Sequence, residues 1–113
     1  MSFTGHEDQK IKFEDGAELT KRYRDNNPSG CQLGEYFSKD SILELLNQPG
    51  CVGIRVYFGY DESKIFKLVV VGVDENEDDQ IGDDYSCMDK GNPAPPYSGN
   101  QNILNSWPTF GDI

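Results

Sequence analysis

The sequence predicts an α+β domain in which two helices pack on a small antiparallel sheet. A β-hairpin over residues 51–74 forms the centre of the sheet, and an extended tail follows it. Three observations carry this expectation. Ile42, Leu43, Leu45 and Leu46 recur at helical spacing, Val52, Ile54, Val56, Phe58 and Tyr60 alternate as one face of a strand, and the run 65–73 is apolar on both faces.

Residues 1–10 are polar and read as a flexible N-terminus, with ordered structure starting near Ile11-Lys12-Phe13. Asp15 followed by Glu18 has the form of a capping box, which predicts a helix from about residue 16 to 26. Leu19 and Tyr23 would stack on its inner face. Lys21, Arg22 and Arg24 would lie near its C-terminal end, where the dipole favours cations. Asn26-Asn27-Pro28-Ser29-Gly30 ends it. The second helix is capped by Ser38, carries Asp40 in its first turn, and stops at Asn47-Gln48-Pro49-Gly50.

Beyond Cys51, the strand 52–60 places Gly53, Arg55, Tyr57 and Gly59 on its less apolar face and reads as half-buried. Asp61-Glu62-Ser63-Lys64 makes a polar turn into the strand 65–73, whose two apolar faces predict a central position. Two strands alone are marginal in water. A third is expected from residues 31–37 in preference to 81–88 or a second copy of the chain, with a dimer as supplement.

From Asp74 the chain turns acidic, and eight carboxylates occur before Lys90. A Pro/Gly/Asn-rich tail over 85–113 follows the single domain of 11–84. Within it Pro93-Ala94-Pro95-Pro96 reads as extended polyproline, and Trp107 and Phe110 read as anchors that dock the tail on the body or enter a partner's pocket.

The 113 residues hold 20 acidic and 10 basic side chains, a net charge of −10, with a mean hydropathy of −0.67 and a pI near 4.3. Such a chain has little attraction for a phosphate backbone or an anionic membrane, so nucleic acid and membrane are not expected partners. No apolar run approaches the roughly 20 residues of a membrane span, and the N-terminal residues lack a signal-peptide pattern, which makes the cytoplasm the expected location. Cys31, Cys51 and Cys87 form no CxxC pair and are read as reduced thiols, with Cys51 a small buried hydrophobe. A domain this small buries only about 65% of the surface its unfolded chain exposes, so self-association or a docked tail would add stability.

The segment Phe37–Gly59, with its Gln48-Pro49-Gly50-Cys51 helix end and its Gly53-Ile54-Arg55-Val56-Tyr57-Phe58-Gly59 strand, is followed by Leu68-Val69-Val70-Val71-Gly72-Val73-Asp74. With Arg22-Tyr23-Arg24, these motifs resemble a family of small bacterial proteins common in Bacteroidetes, over roughly residues 11–80. The resemblance implies one compact domain with a helix and a hairpin, and brings no known activity. Members often end in a Cys-Pro-Pro-x-Cys-like tail. Here Cys87 is followed by Met88, and Pro95-Pro96-Tyr97 has no flanking cysteines.

Catalytic chemistry has few candidates. His6 is the only histidine, no glycine-rich phosphate loop is present, and the acids cluster in a loop rather than across a cleft. Asp74, Asn76 and Asp78 match the first three ligands of a calcium loop. Its sixth position, however, is Asp79 instead of glycine, and its twelfth is Tyr85 instead of glutamate. No cofactor or metal is therefore expected, and the chain is read as non-enzymatic.

Its expected function is protein–protein interaction or self-assembly, with a protein partner or a second copy. The candidate contact residues are Asp74, Glu75, Glu77, Asp78, Asp79, Asp83, Asp84, Trp107, Phe110, Arg55 and Tyr57. The alternative is an acidic inhibitor, immunity protein or DNA mimic that engages a basic partner through residues 74–89. Arg55, flanked by glycines, would either satisfy a carboxylate on a neighbouring element or belong to an association face.

Overall fold

The computed structural model describes residues 2–28 and 30–106. It is an α+β arrangement of two helices and two small antiparallel sheets, in the order α1 (Phe13–Asp25), β1 (Gly34–Tyr36), α2 (Lys39–Leu46), β2 (Cys51–Tyr60), β3 (Phe66–Asp74), β4 (Cys87–Met88) and β5 (Asn92–Ala94). The chain forms two compact units, each assembled from separate stretches. One comprises Met1–Asp8 with Phe37–Gly91, the other Gln9–Tyr36 with Asn92–Ile113.

The first unit is built on a three-stranded sheet of order β2-β3-β4. β2 and β3 pair antiparallel from Gly53↔Val73 to Tyr60↔Phe66, with an irregularity between Cys51 and Gly53. The turn between them is organised by Asp61, whose Oδ1 accepts from the N–H groups of Ser63 (2.8 Å) and Ile65 (2.9 Å), while Lys64 takes a left-handed φ of 64°. As its sequence implies, β3 is central and contains the buried Val70, Val71 and Val73.

The third strand is Cys87–Met88, which pairs Val70↔Met88 and Val71↔Cys87. This corrects the expectation that residues 31–37 would supply it. After β3 the chain folds straight back: Asp74 N–H donates to Asp78 O, and Gln80 N–H donates to Gly72 O at 2.8 Å. That close return occupies the outer edge of β3 with the segment next in sequence.

The helix α2 begins as its sequence indicates, with Ser38 Oγ accepting from Ser41 N–H at 3.1 Å. Leu45 is fully buried, whereas Leu43 and Leu46 are exposed. At its C-terminal end Gln48 joins an amide chain that ties the helix to the segment after β3. Gln48 Nε2 donates to Gln80 Oε1 (2.9 Å), Gln80 Nε2 donates to Pro49 O (2.9 Å), and Ser86 N–H donates to Gln48 Oε1 (2.7 Å). Gln80 is buried, and the chain of bonds satisfies its amide, as burial of a polar group requires. Gly72 makes the room: a Cβ there would stand 2.6 Å from Gln80 Oε1 and 2.9 Å from Gln48 Nε2.

In the same unit, Phe3 N–H donates to Glu75 O at 2.9 Å. The Glu7 carboxylate closes a small N-terminal loop by accepting from Thr4 N–H (2.8 Å) and Gly5 N–H (3.1 Å). These bonds, that from Thr4 foremost, hold Glu7 below the ordinary carboxylate range.

The second unit contains α1 and the two-stranded sheet β1-β5, in register Gly34↔Ala94 to Tyr36↔Asn92. Three local expectations are corrected here. α1 starts at Phe13 behind Lys12, which makes no side-chain cap, so Asp15 lies inside the first turn and forms no capping box with Glu18. Leu19 and Tyr23 are exposed. The buried residue of α1 is Ala17, and Tyr23 Oη instead donates to Gln32 O at 3.0 Å. Residues 93–96 are not an extended polyproline segment: Pro93 and Ala94 belong to β5, and Tyr97 N–H donates back to Pro93 O to close a turn at Pro95-Pro96. Farther along, Arg24 Nη1 donates to Leu104 O at 2.8 Å, and a Cβ on Gly16 would meet Leu104 at 3.4 Å.

Candidate functional site

The two faces of the β2–β3 hairpin have different chemistry. In an antiparallel ladder, residues directly opposite each other share a face. Arg55, Val71, Tyr57 and Val69 therefore stand on one side, and Ile54, Val56, Phe58, Tyr60, Val70, Leu68 and Phe66 on the other.

On the first face the structure joins three of the sequence-derived candidates. Arg55 Nη1 donates to Asp79 Oδ1 at 2.6 Å, and Tyr57 Oη donates to the other oxygen, Oδ2. The guanidinium also reaches the carbonyl of Glu77, at 3.4 Å from Nη1 and 3.3 Å from Nη2. Tyr57 first, and then Asp79, raises the affinity of Arg55 for its proton above the ordinary value. Arg55 thus satisfies a carboxylate on a neighbouring segment, pinning the acidic turn to β2 across 24 residues of sequence.

That clasp changes what the acidic segment can offer. Asp79 is engaged internally. Asp74 is also committed, because its Oδ1 accepts from Asn76 N–H (2.9 Å) and Asp78 N–H (3.1 Å), and Glu77 in the same turn has a left-handed φ of 71°. Glu75, Asp78, Asp83 and Asp84 are exposed, and Glu77 is half-buried. Among the described residues no group of three or more His, Cys, Asp or Glu side chains is placed to hold a metal ion. None of the three cysteines is in a disulfide; Cys51 is half-buried and its Sγ donates to Gly53 O at 3.1 Å.

The second face is where the sequence misleads. The alternating apolar residues of β2 suggest a side turned into a core, yet Ile54, Val56, Phe58 and Tyr60 are 40%, 41%, 78% and 75% exposed. The cover is short: α2 has eight residues, and Leu45 is the one it buries. Toward the hairpin turn the strip is aromatic. The ring of Phe66 lies 5.9 Å from Phe58 and 6.3 Å, edge-on, from Tyr60, with Ile65 also exposed. Sequence reasoning left these residues out of the candidate site. The available signal was the mismatch between a ten-residue apolar strand and the two helical turns able to cover it.

The second unit contains an open cavity of about 340 Å³ lined by Thr20, Leu33, Glu35, Tyr36, Tyr97 and Leu104, among others. Trp107 and Phe110 lie outside the described residues. Among the described residues no helix is long and apolar enough to cross a membrane.

Comparison of the chain with family profiles, with curated proteins and with solved structures finds no match.

Proposed function

We propose that this chain is a non-enzymatic protein-binding module whose contact surface is the apolar strip of the β2–β3 hairpin. The observation that carries the reading is the exposure of Phe58 and Tyr60, at 78% and 75%, beside Ile54, Val56 and Phe66 on one continuous face. A contiguous apolar patch costs solubility and aggregation resistance on a lone chain, and such patches mark association sites. The strip also borders the outer edge of β2, where an incoming strand could add main-chain hydrogen bonds to side-chain burial. Acidic recognition of a basic partner through residues 74–89 is the weaker reading. Two of its carboxylates, Asp74 and Asp79, are already occupied by bonds within the fold.

The test is retention of a stoichiometric partner, another protein or further copies of this chain, by the immobilised protein. The F58K/Y60K variant should lose the partner while D83K/D84K retains it. Loss with D83K/D84K and retention with F58K/Y60K would transfer the function to the acidic segment. Equal retention by both variants would overturn the strip as the contact surface.

A further inference from the structure

We infer that the open cavity of the second unit is the seat of this chain's own C-terminal segment, with the Trp107 side chain as its occupant. No residue of the β2–β3 strip takes part, so this inference and the interaction reading stand or fall separately.

The cavity has the size and the walls for one large aromatic side chain. Its volume of about 340 Å³ lies at the small end of ligand sites, which run from about 300 to 1,000 Å³. Thr20 of α1, Leu33 just before β1, Tyr36 at the end of β1, Tyr97 after β5 and Leu104 line it. Of these, Leu33, Tyr36, Tyr97 and Leu104 are exposed. Apolar side chains around an open cavity gain from an occupant that takes them out of water. Glu35 in the same wall brings a carboxylate, which repels an anionic occupant and accepts from an N–H donor.

Covalent geometry brings Trp107 to that wall. The last described residue, Ser106, follows Asn105, which itself lines the cavity. This end of the chain is held in place: Asn105 Oδ1 accepts from Asn102 N–H (2.8 Å) and from Ser106 Oγ (2.7 Å), and Ser106 N–H donates to Asn102 O (3.0 Å). The bond from Arg24 Nη1 to Leu104 O, at 2.8 Å, ties the same turn to α1. Two peptide links then put the Trp107 Cα within about 7 Å of that of Asn105. A free ligand or a partner must find the cavity from solution, whereas Trp107 is tethered beside it at a high effective concentration.

Side-chain chemistry selects Trp107 from the segment 107–113. Its apolar side chains are Trp107, Phe110 and Ile113. Tryptophan is the largest of the three, and a buried indole N–H requires an acceptor, which the Glu35 carboxylate provides. Phe110 and Ile113 carry no donor for that carboxylate, and both stand farther from the tether. Docking thus covers apolar wall and pairs a donor with an acceptor in one step, and it fastens the end of the chain to α1 and β1.

The test uses the full chain, whose single tryptophan makes its fluorescence a report on Trp107 alone. Native emission should lie to the blue of that in urea, and acrylamide should quench it several-fold less. NMR should place the indole protons against the Leu33 and Leu104 methyl groups and Thr20 of the same copy, as checked by isotope filtering on a mixed labelled and unlabelled sample. T20F fills the cavity from α1 and should return the emission to its solvent-exposed position with circular dichroism unchanged. Because the NMR contacts need no variant, misfolding of T20F leaves the test intact. Solvent-like emission from the native chain overturns the inference. So does a shielded indole whose contacts lie elsewhere or in a second copy, a cavity contacted by Phe110 in its place, or a folded T20F whose indole stays shielded.

Discussion

Substitution of Gly72 by alanine examines the packing that ties α2 to the segment after β3. The added Cβ would stand 2.6 Å from Gln80 Oε1, 2.9 Å from Gln48 Nε2 and 3.1 Å from Cys51 Sγ, well inside van der Waals contact. The two amide atoms are the donor and acceptor of the Gln48–Gln80 hydrogen bond, so moving either one aside breaks it. Overpacking typically costs about 1–3 kcal/mol, and a buried amide that loses its partner costs about 1–3 kcal/mol more. Alanine recovers roughly 0.5–1 kcal/mol through its lower backbone entropy in a strand.

The net expectation for G72A is a loss of about 3 kcal/mol. At about 5 °C per kcal/mol for a domain of this size, this is a fall in Tm of roughly 15 °C. Urea unfolding followed by circular dichroism measures it, with the dependence on denaturant unchanged. In a Q80A background the closest clash is removed and Gln48 Nε2, no longer held by Gln80 Oε1, can swing aside, so G72A should cost about 1 kcal/mol, giving a coupling of about 2 kcal/mol between the sites. A single-mutant cost under about 0.5 kcal/mol, or strict additivity with Q80A, would refute the packing account.

Three further expectations concern local features. S38A removes the oxygen that accepts Ser41 N–H and should destabilise the first unit by about 1 kcal/mol in the same denaturation assay; no change would mean that water replaces the cap without loss. K64G relieves a left-handed φ at the hairpin turn and should stabilise by about 1 kcal/mol, whereas destabilisation would show that the lysine side chain contributes more than the strain costs. Glu7 should titrate below its ordinary 4.5 in an NMR pH series. A carboxylate with a depressed folded value stabilises above its unfolded value and loses that contribution as pH falls through the folded one. E7Q should therefore flatten the acid-side loss of stability, and a midpoint at or above 4.5 would refute the Thr4 and Gly5 bonds to Glu7.

The sequence alone determined the elements whose causes are local. The Ser38 cap, the helical spacing of Ile42 to Leu46 and the stop at Pro49-Gly50 identify α2, and alternation followed by a doubly apolar run identifies β2 and a central β3. The reading of Arg55 as the partner of a carboxylate was also available, because a cation flanked by glycines on the less apolar face of a strand needs one. Which carboxylate it meets was decided by the tertiary structure, which selects Asp79 from a crowded segment because Asp74 folds the turn back onto β2. Tertiary structure likewise paired β1 with β5, gave the third strand of the main sheet to Cys87–Met88, and joined Gln48 to Gln80. These contacts connect residues tens of positions apart, where no periodicity or capping pattern reaches. The same limit explains the apolar strip. Alternation specifies which residues share a face, but whether that face is covered depends on how much of its surface the short α2 reaches, and its eight residues leave Phe58 and Tyr60 in solvent.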